Sequence, residues 1–376
     1  MRSHTLDRMQ TSMVDWTVAL NTATKLVKPG PEISRPGAAA VVAELREAAV
    51  RAEAYVTQVT GLDASSSTSP VLVIDRPRWI QANLDGFRHI LAPLNAKAAE
   101  KMKNASSTMA GLGPVITGVE VGALLSYLAP KVLGQFDPFY PGSSALAEPD
   151  AADGVGANGG RLLLVAPNIV AIERELNVDP SDFRLWVCLH EETHRVQFAA
   201  VPWLRDYLTD QVAQVVGSAD LDPAVLYQML VNAVRRIIEG LSRNEEFSIV
   251  DLVQTPAQRE IVDRITAVMS LLEGHADVVM DGVGPEVIPS VEAIRAKFTV
   301  RRQGQGFDKV IRKLLGLDAK MRQYRDGAAF CKAVIARVGM DGLNKVWTSP
   351  NTLPTRTEIA DPEIWLARMH PEPAAL

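Results

Sequence analysis

Cys188-Leu-His-Glu-Glu-Thr-His-Arg-Val-Gln-Phe198 sets two histidines four positions apart around a pair of glutamates. Just upstream, Asp179-Pro-Ser-Asp182 offers a helix start, with Asp179 or Ser181 as the cap. Phe183, Trp186, Val187 and His190 then recur at helical spacing, and Pro202 closes the segment. The pattern predicts one helix between these stops. Four residues make slightly more than one turn, so His190 and His194 project from the same face.

Two imidazoles one turn apart can reach a single cation at about 2.0 to 2.1 Å, which suits Zn2+. The chain holds six histidines, and at that density an accidental His-Glu-x-x-His arises in roughly one chain in two hundred. The helical context therefore adds to the motif. Glu191 lies about 100° around the helix from His190. That angle is wrong for a ligand in line with the histidines and right for a general base acting on a water at the open fourth position. Glu192 and Thr193 point elsewhere. Cys188 faces away from the histidines and reads as a buried thiol.

A catalytic zinc site needs a third protein ligand. Leu271 to Asp281, LLEGHADVVMD, supplies two choices. If the segment is helical, Glu273 and Asp277 share a face, while His275 lies about 200° from Glu273. Only one of these faces can meet the metal. With Glu273 as ligand, Asp277 can accept the outer N–H of a ligating histidine and orient its ring. His275 is the alternative ligand, and Gly274 between the two weakens the helical geometry on which the choice rests.

Working outward, the chain from Val14 to about Ala129 reads as helical. Lys28-Pro-Gly-Pro breaks the first helix, and Ala38 to Gly61 forms a long amphipathic one with Val41, Leu45, Ala48, Ala52 and Tyr55 near one face. Val71 to Ile74 fits a short strand or an extended entry to the next helix. Residues 137–160 hold Pro138, Pro141, Pro149 and several glycines, the pattern of a linker. Arg161 to Ala166 reads as a strand and Ile169 to Leu176 as a helix stopped near Asn177. The expected organisation is an N-terminal helical region 1–136, a flexible loop or linker 137–160, a metal-binding core 161–284 and a C-terminal helical region 285–376, either separate or packed as one compact unit with the core.

The chain has 376 residues, 47% of them hydrophobic, enough for a sizeable core. A net charge of -5 and a pI near 5.8 give no reason to expect nucleic acid or an anionic membrane as partner. Two cysteines and an N-terminus without an apolar signal region suit a reducing, cytoplasmic setting. Met109 to Leu128 is apolar for about the length of a membrane span, but Glu120 and Pro114 argue for a buried helix in which Gly118 and Gly122 permit close packing. Between Arg295 and Arg325 ten basic residues face only Asp308 and Asp318. This run reads either as a solvated helical surface or as a site for a substrate anion, with Arg322 or Arg325 as the contact.

His-Glu-Glu-Thr-His followed by Glu-Gly-His-Ala-Asp resembles the zincin-like metallopeptidases. The wider chain resembles an actinobacterial hydrolase family associated with coenzyme F420 biosynthesis, on Val14-Asp15-Trp16, Leu163 to Asn168, Lys320 to Tyr324 and Leu353-Pro-Thr355. The resemblance implies a mostly α, α+β fold: a zincin-like helical core with a small β-sheet beside the active-site helix, and a bound Zn2+. It resembles the glutamate-ligand branch, with Glu273 and Asp277 as its Glu-x-x-x-Asp element, although the 78 residues between His194 and Glu273 exceed the familiar spacing. It implies further that the strand Arg161 to Ala166 either offers its edge to an extended peptide or is an internal strand, and that Tyr324 donates to a tetrahedral oxyanion, with a core tyrosine as the alternative. The expected activity is zinc-dependent hydrolysis of a peptide or a small amide. The alternatives are a non-catalytic zinc protein acting in binding or assembly, and a hydrolase of a non-peptide amide in cofactor metabolism.

Overall fold

Asp15 accepts hydrogen bonds from the backbone N–H groups of Thr17 and Val18, both at 3.0 Å, and so starts α1 (Trp16–Leu26). Ser34 caps the long α2 (Arg35–Thr60), which stops where Gly61 turns left-handed at φ 68°. β1 (Val71–Ile74), α3 (Arg76–Ile90), α4 (Leu112–Leu128), β2 (Gly134–Asp137) and β3 (Arg161–Val165) follow. The second half is helical: α5 (Ala166–Leu176), α6 (Pro180–Ala200), α7 (Pro202–Gly217), α8 (Pro256–Val283), α9 (Val291–Gly304), α10 (Arg322–Leu343), α11 (Arg356–Ala360) and α12 (Pro362–Met369). This computed structural model describes residues 13–65, 69–92, 112–140, 160–217, 256–304 and 322–371. The loop expected at 137–160 lies outside them from 141 to 159.

The chain divides into two compact units. One comprises Met1–Pro29, Arg76–Lys131 and Val216–Glu245, and the other Gly30–Asp75, Val132–Val215 and Glu246–Leu376. In the first, α4 lies directly on α1. A Cβ added at Gly118 would stand 2.5 Å from Asp15 O, and one at Gly122 would stand 2.5 Å from Ala19 O. Glycine is what allows the two backbones this close. The apolar run ending at Leu128 is thus a packed helix, and no helix among the described residues is long and apolar enough to cross a membrane.

The second unit carries a three-stranded sheet in the order β1-β3-β2. β1 runs parallel to β3, pairing Val71 with Leu162, and β2 runs antiparallel to it, pairing Gly134 with Leu164. Every residue of β3 is buried. Of the two roles open to β3, edge or internal strand, the internal one holds, because its backbone groups are paired on both sides; among the described residues the edges belong to β1 and β2.

Two apolar cores hold this unit. In the first, Leu45, Ala48, Ala49, Ala52 and Val56 of α2 pack against Phe183, Trp186, Val187, Cys188 and Leu189 of α6. Burying a side chain the size of Leu45 or Phe183 contributes roughly 1.5–3 kcal/mol. In the second, Leu204 and Leu208 of α7, Val268, Leu271 and Leu272 of α8 and Phe330 and Val334 of α10 meet Trp347, Ile359 and Trp365. α8 enters both cores, through Val268 and Leu271 in one and Val279 and Met280 in the other, and the candidate functional side chains stand where the remaining faces of α6 and α8 meet.

Candidate metal centre

Asp179 accepts the N–H of Asp182 at 3.0 Å, and Pro180 follows in the first turn, so α6 begins where the sequence reading starts it. One turn apart on this helix, the Nε2 atoms of His190 and His194 approach to 3.3 Å. Glu273 of α8 meets both: Oε2 stands 3.7 Å from His190 Nε2, and Oε1 stands 3.6 Å from His194 Nε2. The three side chains offer one ligand atom each within 4.8 Å of one another. Donors around a tetrahedral zinc at 2.0 to 2.1 Å lie about 3.3 Å apart, so this donor set and its spacing fit the ion.

Glu191 is buried beside the histidine pair. β2 passes so near that a Cβ on Gly134 would stand 2.5 Å from Glu191 Cγ and 2.8 Å from its Oε1. Gly134 thus makes the room that Glu191 occupies. Burial pushes the Glu191 carboxyl well above the usual carboxylate range, and the charges of Glu273 and Glu192 push in the same direction. Glu192, on another face of α6, is tied into an ion-pair network. Arg195 Nε donates to Glu192 Oε2 at 2.5 Å, and Arg195 Nη2 lies 2.7 Å from Glu53 Oε2. This network fastens α6 to α2 and leaves Glu191 as the acidic side chain beside the histidines on that helix.

Behind the histidines, His194 Nδ1 lies 3.0 Å from Gln197 Oε1. Gln197 Nε2 donates to Leu272 O at 3.1 Å and lies 2.9 Å from His275 Nδ1. His275 is fully buried and its ring meets the Trp347 ring edge-on, centroids 5.5 Å apart. Burial lowers its pKa to about 4, and the nearby His194 acts in the same direction. Glu273 thus faces the histidine pair while His275 faces inward. Asp277 is exposed, and Arg295 reaches its backbone oxygen at 3.5 Å.

Sequence reasoning did not single out Gly134 or Gln197. A glycine inside a strand marks a close approach of another group, and Gln197, three residues past His194, sits on the histidine's own face. Both signals were present, but neither names its partner. The side chains of Tyr324, Arg322 and Arg325 lie outside the described residues, as does most of the basic run. Its described members are paired: Arg295 with Asp281, Lys297 with the Asn177 carbonyl at 2.8 Å, and Arg301 with Glu175 at 3.0 Å.

A helix that presents two histidines, a second helix that presents a carboxylate and a small sheet alongside define a protein of the zincin-like class. The family model described as zincin-like metallopeptidase matches residues 14–366, and the chain belongs to that family. Among solved structures it is similar to one described as "a putative hydrolase with a novel fold" from Chloroflexus aurantiacus. The two are 30% identical with a TM-score of 0.67, over 96% of this chain and 100% of the other. No curated protein matches.

Proposed function

We propose that the protein is a zinc-dependent hydrolase acting on peptide bonds. The observation that carries this reading is the convergence of His190, His194 and Glu273 beside the buried carboxyl of Glu191. Membership of a metallopeptidase family supports it. His190, His194 and Glu273 would hold the ion. Zinc at such a site supplies Lewis acidity and makes a water nucleophilic near neutral pH.

Within the chain, Glu191 takes a proton from the attacking water and returns it to the leaving nitrogen. Its burial beside Gly134 suits that task, because a carboxyl group with raised proton affinity can hold the proton between the two transfers. Tyr324 is proposed to donate to the oxyanion, and Asp277 to support the ligands from the outer face of α8.

Two measurements test this. Purified protein should contain about one zinc per chain, and His190→Ala together with His194→Ala should abolish that content in elemental analysis. Glu191→Gln should keep the zinc and lower hydrolysis of a mixed peptide library by about 10²- to 10⁴-fold. A wild-type protein that takes up no zinc would overturn the proposal, as would unchanged turnover by Glu191→Gln.

A further inference from the structure

Gln197 has no exposed surface, and both ends of its amide are engaged by groups of different character. Leu272 O, at 3.1 Å, is a carbonyl oxygen and can only accept. The amide group facing it must therefore be the NH2. The reversed amide would set two oxygens against each other in a buried place, at a cost of about 1–3 kcal/mol. With Nε2 directed to Leu272, Oε1 is left facing His194 Nδ1 at 3.0 Å, and an amide oxygen can only accept. The proton of a neutral His194 then belongs on Nδ1, which leaves the lone pair on Nε2. That is the nitrogen facing His190 and Glu273.

The second amide hydrogen has its own acceptor. His275 Nδ1 lies 2.9 Å from Gln197 Nε2, so His275 receives there and carries its proton on Nε2. Among the described residues that Nε2 has no hydrogen-bond partner. Leu272 immediately precedes Glu273, so the same amide also joins the helix bearing the histidines to the helix bearing the carboxylate. We propose that Gln197 is a positioning residue: Leu272 and His275 fix its amide, and the amide fixes His194 in the Nδ1–H tautomer with Nε2 free to bind a metal. The role assigned to His275 is that of an inner support.

The consequence for affinity rests on the zinc reading, but the tautomers belong to the metal-free chain and are measured without it. Long-range ¹H–¹⁵N correlation on zinc-free wild-type protein should place the proton on Nδ1 of His194 and on Nε2 of His275. Gln197→Met, which fills the same space without an amide, should abolish the His194 preference and weaken zinc binding 10- to 100-fold in competition with a chromogenic chelator.

Gln197→Glu is the second variant. A carboxylate still accepts from His194, so zinc affinity should stay within about tenfold of wild type, while its other oxygen meets Leu272 O and should lower stability by about 1–3 kcal/mol. It cannot donate to His275, whose proton should move to Nδ1. Co2+ put in place of zinc should show altered visible bands in the methionine variant and near-native ones in the glutamate variant. A wild-type His194 protonated on Nε2 would overturn the inference, and so would undiminished zinc affinity in Gln197→Met. If wild-type protein takes up no zinc, the metal reading fails, and the ring tautomers alone decide the role of Gln197.

Discussion

Helices α1 and α4 meet through Gly118 and Gly122, where an added Cβ would stand 2.5 Å from a backbone oxygen of α1. Helices α8 and α10 meet through Gly274 and Gly327, and there the approach is closer: a Cβ on Gly274 would run into Gly327 C, and one on Gly327 into Ser270 O. Both crossings use the missing side chain to bring backbones together. Their consequences differ because of what flanks them. Gly118 and Gly122 stand in an apolar helix and serve packing alone, whereas Gly274 stands between Glu273, which faces the histidine pair, and His275, which supports Gln197. The second crossing therefore restrains the rotation of α8 about its axis, and with it which side chain faces the histidine pair. A glycine that looks like a weak point in the helix is its anchor, and α8 runs unbroken from Pro256 to Val283.

Gly274→Ala should have the largest effect, because the colliding atoms are backbone and cannot swing aside. It should cost more than about 3 kcal/mol in urea unfolding and also weaken zinc binding, since relieving the clash turns or shifts Glu273. Gly122→Ala should cost about 2–3 kcal/mol and leave the zinc content of the folded protein unchanged. Equal loss of zinc in both variants would break the distinction between a packing crossing and a positioning one.

The smallest expected effect concerns the inner side of α8. The folded-state pKa of His275 is depressed to about 4, below the ordinary value of 6.5, chiefly by burial. Such a group contributes stability that is present above the unfolded-state pKa and is lost as pH falls through the window from about 6.5 to 4, because there the unfolded chain binds a proton the folded one refuses. Zinc-free protein should thus lose about 2 kcal/mol between pH 7.5 and 5 from this residue. His275→Phe should flatten that part of the urea stability profile while keeping the contact with Trp347. An identical acid slope in the variant would mean that the inner face of α8 is not closed to protons.

Much of the architecture was legible in local pattern. The cap at Asp179, the stops at Gly61 and Pro202 and the buried stripe Val41, Leu45, Ala48 and Ala52 lie where turn chemistry and periodicity put them, while α2 starts at Arg35 behind a Ser34 cap, three residues before the expected Ala38. β2 was not legible. Its four residues, Gly134-Gln-Phe-Asp137, carry no alternation of apolar and polar groups, and they form a strand only because β3 offers an unpaired edge. Of the two roles open to Arg161 to Ala166, the internal one holds for the same reason, since pairing with β2 removes the free edge.

In the candidate metal centre, the local relation was read in full, and the distant one only as a choice, Glu273 with His275 as the alternative. Two histidines and a glutamate on one helix hold their relation through helical geometry alone, so the stretch from Cys188 to Phe198 carries it in full. Glu273 and His275 are a different case. Either can face a partner helix, and no spacing within α8 states how that helix is rotated; the backbone contact of Gly274 with Gly327 decides it, from residues 53 positions apart. Gln197 and Gly134 likewise acquire their roles from groups brought near only by folding, Leu272 and His275 in one case and Glu191 in the other. Backbone geometry within a helix is set by neighbours in the chain, while the rotation and approach of two helices are set by steric fit between surfaces, which a linear pattern does not record.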